Sequence, residues 1–216
     1  MSKEEIFNKL KRAIEEMDVS AAVEGAKEAL KAGIDPYEAI TQGLAKGMET
    51  ISDRFDKGEL YLPQIVLAAD AMSEATKILE EKMTTAQAEK AKLGKVVIGT
   101  PEGDIHEIGK NLVATMLRGA GFEVVDIGRD VPIAEFLKKV KEIDADIVAA
   151  STLMTTTRPA QKEIVDALKE AGLRDRVKTL HGGAPVSREY VEQIAGDGYA
   201  ADAAEAVKVA KNLVGR

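Results

Sequence analysis

The chain has 216 residues and a mass of 23.1 kDa, which suffices for one or two domains with their own cores. With 45% hydrophobic and 31% charged residues, the composition is that of a folded globular protein. The absence of cysteine excludes disulfides, thiolate zinc sites, iron–sulfur clusters and cysteine nucleophiles. A formal net charge of −7 and 4% aromatic residues argue against a nucleic-acid partner, which needs a basic face and stacking side chains.

Targeting and membrane signals are not evident in the sequence. No segment approaches the roughly 18 consecutive apolar residues of a membrane span, and Met1–Lys11 is charged rather than signal-like. We therefore expect a cytoplasmic protein that does not enter the membrane. The two histidines are His106 and His181, so any imidazole chemistry must use one of them.

The first part of the chain is predicted to be helical, because apolar residues recur there at helical spacing and strand patterns are almost lacking. Four helices are predicted, over Lys3–Met17, from Asp18 or Ser20 to about Gly33, from Pro36 to Lys57, and from Pro63 to about Met83. Short connections between them predict an antiparallel four-helix bundle over residues 1–83. Residues 84–94 are polar and alanine-rich, which predicts a linker; a helical extension is the alternative.

From Lys95 onward, short β-branched runs alternate with helical segments. Strands are predicted over Val96–Thr100, Glu123–Ile127, Asp146–Ser151, Val177–Leu180 and Tyr199–Ala201. Helices are predicted over Ile105–Gly119, Pro132–Ile143, Arg158–Ala171, Ser187–Ile194 and Asp202–Leu213. This alternation predicts an α/β domain over residues 95–216, with a flavodoxin-like or Rossmann-like doubly wound, five-stranded parallel sheet in the order 2-1-3-4-5.

Three unusual loops follow strands one, three and four, where doubly wound domains bind ligands. They are Thr100–His106, Ser151–Thr157 and the His181-Gly182-Gly183 segment. In the first, Asp104 stands two residues before His106. A carboxylate bonded to one imidazole nitrogen leaves the other free for a metal.

Each loop also has a purely structural interpretation. Asp104 could be a helix N-cap with His106 an ordinary polar residue beside it. Serine and threonine are common in loops and at helix starts, and paired glycines are common in turns. Gly109, one turn after His106, leaves room for a bulky group against the helix.

Taken together, the motifs are more specific. Asp104-x-His106-x-x-Gly109, Ser151-x-Leu153 and Gly182-Gly183 resemble the signature of cobalamin-binding domains of the base-off/His-on type. The helical bundle and the segment Gly58-Glu59-Leu60-Tyr61-Leu62-Pro63-Gln64 resemble the cap domain of corrinoid methyl-carrier proteins. Ala69-Asp70-Ala71-Met72 and Leu153-Met154-Thr155-Thr156-Thr157 are similar to segments in the corrinoid proteins of methylamine methyltransferase systems.

The resemblance implies roles for individual residues. His106 would be the lower axial ligand of cobalt in place of the cofactor's dimethylbenzimidazole, Asp104 would orient it, and Ser151 would extend a His–Asp–Ser triad. The displaced nucleotide tail would lie in a slot beside strand one, and a movable cap would shield the upper corrin face. The cofactor-binding residues implied are Gly103, Asp104, Ile105, His106, Gly109, Ser151, Leu153, Thr155, Gly182, Gly183 and, in the cap, Met48.

The implied function is that of a corrinoid methyl carrier with a cobalamin cofactor of the methylcobalamin type. It would accept a methyl group on cobalt from a substrate-specific methyltransferase and pass it to a second methyltransferase. A reductive activase is a further implied partner. The chain would then be a subunit of a methyltransferase system and not an autonomous enzyme. The methyl donor stays open among methylamines, another quaternary amine, methanol and methoxylated aromatics.

Competing interpretations are a B12-dependent regulator or sensor, a mutase-type cobalamin subunit, a receiver domain and a flavodoxin. A regulator would place a DNA-binding segment before the bundle, and none is expected here. A receiver needs an aspartate at the end of strand three, where this chain has Ser151. A flavodoxin would offer aromatic residues in these loops, which have none.

Overall fold

The computed structural model describes residues 1–83 and 92–215. The chain forms two compact units, of which the first contains Met1–Lys92 with Arg118–Gly121, and the second Leu93–Leu117 with Phe122–Arg216. Within the described ranges, no helix combines the length and the apolar character required to cross a bilayer. Most of the predicted linker, residues 84–91, lies outside the described residues.

The first unit is helical, as predicted. Its elements are α1 (Lys3–Glu15), α2 (Val19–Lys31), α3 (Pro36–Glu38), a π-helical segment (Ala39–Leu44), α4 (Ala45–Asp56) and α5 (Leu62–Glu80). Its buried apolar side chains include Ile6, Leu10, Ile14, Leu44, Met48, Ile51, Ile65, Met72 and Leu79. Their spacing of three, four or seven residues along the helical segments places them on one face, which explains why these segments pack as helices.

Polar residues before the helices determine where α1 and α2 begin. The Ser2 hydroxyl accepts from the Glu5 N–H at 3.2 Å, while the Ser2 N–H donates to the Glu5 carboxylate at 2.6 Å. This reciprocal pair is a capping box. Helix α1 ends two residues before the predicted Met17, which has a left-handed φ of 60°. Asp18 then caps α2 by accepting from the Ala21 N–H at 2.9 Å.

The predicted third helix is interrupted by the π-helical segment. Its start is as expected, because Asp35 accepts from the Tyr37 N–H at 2.8 Å and Pro36 occupies the first turn. The Thr41 hydroxyl then donates to the Tyr37 carbonyl at 2.9 Å. Such a bond competes with regular helical bonding, and apolar periodicity does not reveal it.

The second unit contains the predicted parallel sheet. Its strands are β1 (Lys95–Gly99), β2 (Glu123–Asp126), β3 (Ile147–Ser151), β4 (Lys178–Gly182) and β5 (Gly198–Ala200). Its helices are α6 (Ile108–Gly119), α7 (Ile133–Ile143), α8 (Pro159–Glu170), α9 (Arg188–Gln193) and α10 (Ala203–Leu213). The strand order β2-β1-β3-β4-β5 is the one predicted, and every neighbouring pair is parallel.

Two boundaries differ from the prediction in ways that matter for the site. Helix α6 begins at Ile108, three residues later than expected, so that His106 lies in the loop and not in the helix. Strand β4 continues to Gly182, which pairs with Ser151 at the end of β3. The carboxyl ends of β1, β3 and β4 therefore present their polar loops along one edge of the sheet.

Candidate functional site

The carboxylate of Asp104 and the imidazole of His106 form the centre of this edge. Asp104 Oδ1 lies 2.8 Å from His106 Nδ1 and also accepts from the His106 backbone N–H at 3.1 Å. The loop is fixed at both sides of this pair. The Thr100 hydroxyl donates to the His106 carbonyl at 3.1 Å, and the Asp130 N–H donates to the Asp104 carbonyl at 3.0 Å. The hydrogen bond between Nδ1 and Asp104 thus holds the imidazole ring of His106 in place.

The second carboxylate oxygen of Asp104 binds the loop after β3. It accepts from the Leu153 N–H at 2.8 Å, the Met154 N–H at 3.4 Å and the Thr157 hydroxyl at 2.7 Å. Burial alone would raise the pKa of this carboxyl, whose side chain is 0% exposed, but the hydrogen bonds from Thr157, Leu153 and His106 outweigh it and hold the pKa well below its usual range. Asp104 is therefore ionised at neutral pH and accepts a hydrogen bond from His106 Nδ1–H.

The opposite edge of the His106 ring is accessible. Its side chain is 45% exposed, and its Nε2 makes no hydrogen bond within the described part of the chain. With the proton held on Nδ1, the lone pair of a neutral ring is on Nε2. Three large aliphatic side chains nearby are also exposed: Ile105 at 61% and Leu153 at 48% in the two loops, and Ile108 at 84% at the start of α6. A free imidazole nitrogen on loops with exposed apolar side chains is suited to a flat, largely apolar ligand that carries a metal.

A cavity of about 210 Å³ opens beside this loop pair. Its walls come from β1, β3 and β4, from α6, and from the start of α10. The lining residues include Ile98, Gly109, Val113, Ala149, Ser151, Leu180, Gly182, Gly183 and Ala203. Gly109 adds no side chain to it, and a Cβ there would meet nothing within 4 Å. We call this cavity the slot.

Lys110 also lines the slot, although it is not among the predicted site residues. Its side chain is buried and forms an ion pair with Asp126 at the end of β2, and its ammonium donates to Asn111 Oδ1 at 2.7 Å. A buried ammonium with two oxygen partners is electrostatically compensated. The sequence around Lys110 does not indicate that its partner is Asp126 in β2.

The structure brings most predicted site residues together, with one change of partner. The hydroxyl bound to Asp104 belongs to Thr157, whereas Ser151 ends β3 and lines the slot. The predicted Ser151 relay therefore stays a prediction. Gly103 lies in the same loop as Asp104, and its N–H donates to Asp130 Oδ1 at 2.8 Å. Thr155 is exposed in the loop after β3, and the role predicted for it stays a prediction.

Met48 is the predicted cofactor residue in the helical unit. It lies in α4 and is buried. Its predicted contact with the upper corrin face stays a prediction.

The side chain of His181 in β4 is buried inside the second unit. Its ring is 1% exposed, and its Nδ1 lies 2.9 Å from Gln161 Oε1. Its Nε2 is buried without a hydrogen-bond partner in the described residues. Burial lowers the pKa of His181 to about 4, while Asp197 raises it and Arg174 lowers it. The ring is therefore neutral at physiological pH.

The lowered pKa of His181 predicts that the folded protein loses stability as the pH falls. Between pH 6.5 and about 4 only the unfolded chain protonates it, so stability falls as the pH is lowered through this window. The loss amounts to about 3 kcal/mol, and it stops below the folded-state pKa. We expect His181→Asn, which does not titrate, to reduce the difference between the thermal unfolding midpoints at pH 6.5 and 4.5. An identical difference in both proteins would contradict this prediction.

Comparisons with known proteins identify the family of this chain. Residues 94–208 match the family model "B12 binding domain", and residues 6–80 match a second model of that description. The chain is 50% identical to the trimethylamine corrinoid protein of Methanosarcina barkeri over 98% of its own length and 99% of that protein. The chain belongs to the family of B12-binding corrinoid proteins.

Other members of the corrinoid protein family are similarly close. A dimethylamine corrinoid protein from Methanosarcina acetivorans is 48% identical over 99% of this chain and 98% of its own. Among solved structures, the methanol:cobalamin methyltransferase complex MtaBC from Methanosarcina barkeri contains a chain that is 36% identical. It matches with a TM-score of 0.86 over 99% of this chain and 81% of that one. The family resemblance expected from the motifs is thus confirmed.

Proposed function

We propose that the protein is the methyl-carrying corrinoid subunit of a methylamine methyltransferase system. The observation that carries the proposal is His106, whose Nδ1 is held by a buried, ionised Asp104 and whose Nε2 is exposed and free. The names of the relatives support the choice of methylamines, because they refer to trimethylamine and dimethylamine. A corrinoid bound at this edge would supply the methyl-carrying cobalt chemistry, with one methyltransferase as the methyl donor and a second as the acceptor.

The residues of the site fit such a group. His106 Nε2 would hold the cobalt of a bound corrinoid, and the Asp104 carboxylate keeps the proton on Nδ1 so that Nε2 stays available. The exposed aliphatic side chains of Ile105, Ile108 and Leu153 offer an apolar surface near His106. Ligation by His106 implies that the cofactor's own base is displaced, which is the base-off/His-on state.

The slot offers room for the displaced nucleotide tail. It runs along β1, β3 and β4 beside the His106 loop and is lined mainly by small and apolar residues. Gly183 forms part of its rim and needs to be glycine, since its φ is +113° and a Cβ would lie 1.9 Å from the Thr152 carbonyl oxygen. A mostly apolar cavity is a suitable site for an aromatic base.

Filling the slot is expected to prevent tail binding while leaving the fold intact. Gly109 lines the slot and a Cβ there would meet no protein atom within 4 Å, so the side chain of Gly109→Leu can be placed without a clash at its Cβ and should occupy part of the slot. Overpacking of this kind is expected to weaken binding of hydroxocobalamin about 10- to 100-fold. Gly109→Ala is the matched control, since it adds one methyl group and should weaken binding less. Titration of the visible absorbance measures both, and equal affinities of Gly109→Leu and wild type would contradict the tail site.

The proposed partners are a substrate-specific methyltransferase, a second methyltransferase and a reductive activase, and the proposed location is the cytoplasm. The test is to load the protein with hydroxocobalamin, reduce it and mix it with trimethylamine, dimethylamine or monomethylamine and the corresponding methyltransferase. We expect the visible spectrum to change to that of an alkylated corrinoid with one of these amines. A preparation that binds no corrinoid, or that is methylated by none of the amines, would overturn the proposal.

A further inference from the structure

A buried amide joins the carboxyl ends of β3 and β4 where they line the slot. Gln161 in α8 is 0% exposed. Its Nε2 donates to the Gly182 carbonyl at 2.9 Å and to the Thr152 hydroxyl at 3.0 Å, and it lies 3.4 Å from the Ala150 carbonyl. One side chain thus holds the last residues of two neighbouring strands.

The orientation of this amide is determined by its partners. The carbonyls of Ala150 and Gly182 can only accept hydrogen bonds, so the NH₂ group of Gln161 must face them. Its Oε1 therefore faces His181 Nδ1 at 2.9 Å, which must carry a proton. The two carbonyls thus fix the direction of the amide, and the amide in turn fixes the tautomer of His181.

The ends of β3 and β4, which Gln161 joins, form part of the rim of the slot. Ser151, Gly182 and Gly183 line the slot directly. The Thr152 N–H donates to the Gly182 carbonyl at 3.2 Å, next to the point where Gln161 binds both residues. Loss of the amide would leave buried carbonyls with fewer donors, and such groups shift or take up water.

We infer that Gln161 is a positioning residue that holds the ends of β3 and β4 at the rim of the slot and thereby favours corrinoids that carry a nucleotide tail. This inference rests on the proposed function. Within the described residues the Gln161 side chain makes no hydrogen bond to Asp104 or His106, so its loss should affect the tail more than the axial ligand.

The test compares hydroxocobalamin with cobinamide, a corrinoid that lacks the nucleotide. Gln161→Glu replaces the NH₂ donor by a carboxylate that faces two carbonyls. Gln161→Met removes the amide without adding a charge, and it is the variant to measure if Gln161→Glu does not fold. Glu163→Gln, on the exposed side of the same helix, is the matched control. Dissociation constants come from absorbance titrations of the full chain.

We expect both Gln161 variants to bind hydroxocobalamin about tenfold more weakly or worse, with cobinamide affinity and the axial-ligand spectrum as in wild type. The control should match wild type with both corrinoids. Unchanged hydroxocobalamin affinity, or an equal loss with both corrinoids, would overturn the inference. Failure of the wild-type chain to bind either corrinoid would instead overturn the proposed function.

Discussion

Replacement of His106 by glycine is expected to leave a corrinoid bound but to change its visible spectrum and to lower methyl transfer about 100-fold or more. The slot and the exposed aliphatic residues remain in this variant, so binding persists. The Nε2 donor atom is lost, so the lower axial position passes to water or to the cofactor's own base. Absorbance spectra of the loaded protein and the rate of methylation by a methylamine methyltransferase measure the two effects.

The site allows a chemical control for this variant. Free imidazole should enter the space left by the side chain in His106→Gly and restore part of the wild-type spectrum. Glu102→Gln, in the same loop and exposed, should behave as wild type in both measurements. A spectrum of His106→Gly that matches wild type would refute the axial-ligand role.

Much of the second unit could be predicted from sequence because its strands are buried on both faces. Runs such as Val96–Ile98 and Ile147–Ala150 have no alternation of polar residues, which is typical of central parallel strands between helices. Asp104 and His106 are two residues apart, so local spacing alone indicated that they could meet. Their placement in a loop, and not at the start of a helix, depends on the Thr100 and Asp130 hydrogen bonds.

Partners that are distant in sequence could not be predicted in the same way. Thr157 lies 53 residues from Asp104, within a tract where five hydroxyl residues have similar local patterns. Gln161 resembles an ordinary polar residue of an amphipathic helix until the fold places it beside β4. The choice of partner in both cases follows from how the loop after β3 folds back, and periodicity carries no information on that.

Asp104→Asn is expected to reverse the tautomer of His106. The carboxylate accepts from Leu153, Thr157 and His106, whereas an amide has one acceptor oxygen and an NH₂ group. Keeping the oxygen toward the loop after β3 satisfies more donors, which turns the NH₂ group toward Nδ1. Nδ1 must then accept, the proton moves to Nε2, and Nε2 can no longer bind a metal.

We therefore expect Asp104→Asn to weaken axial ligation about 10- to 100-fold and to shift the corrinoid spectrum in the same direction as His106→Gly. Asp130→Asn is the matched control, because an amide oxygen can still accept from the Gly103 N–H. In the corrinoid-free protein, nitrogen chemical shifts of the imidazole report the tautomer directly, and assignment is simple because the chain has two histidines. If the His106 ring still carries its proton on Nδ1 in Asp104→Asn, the ring keeps Nε2 free without the carboxylate. That result would show that Asp104 does not control which nitrogen can bind a metal.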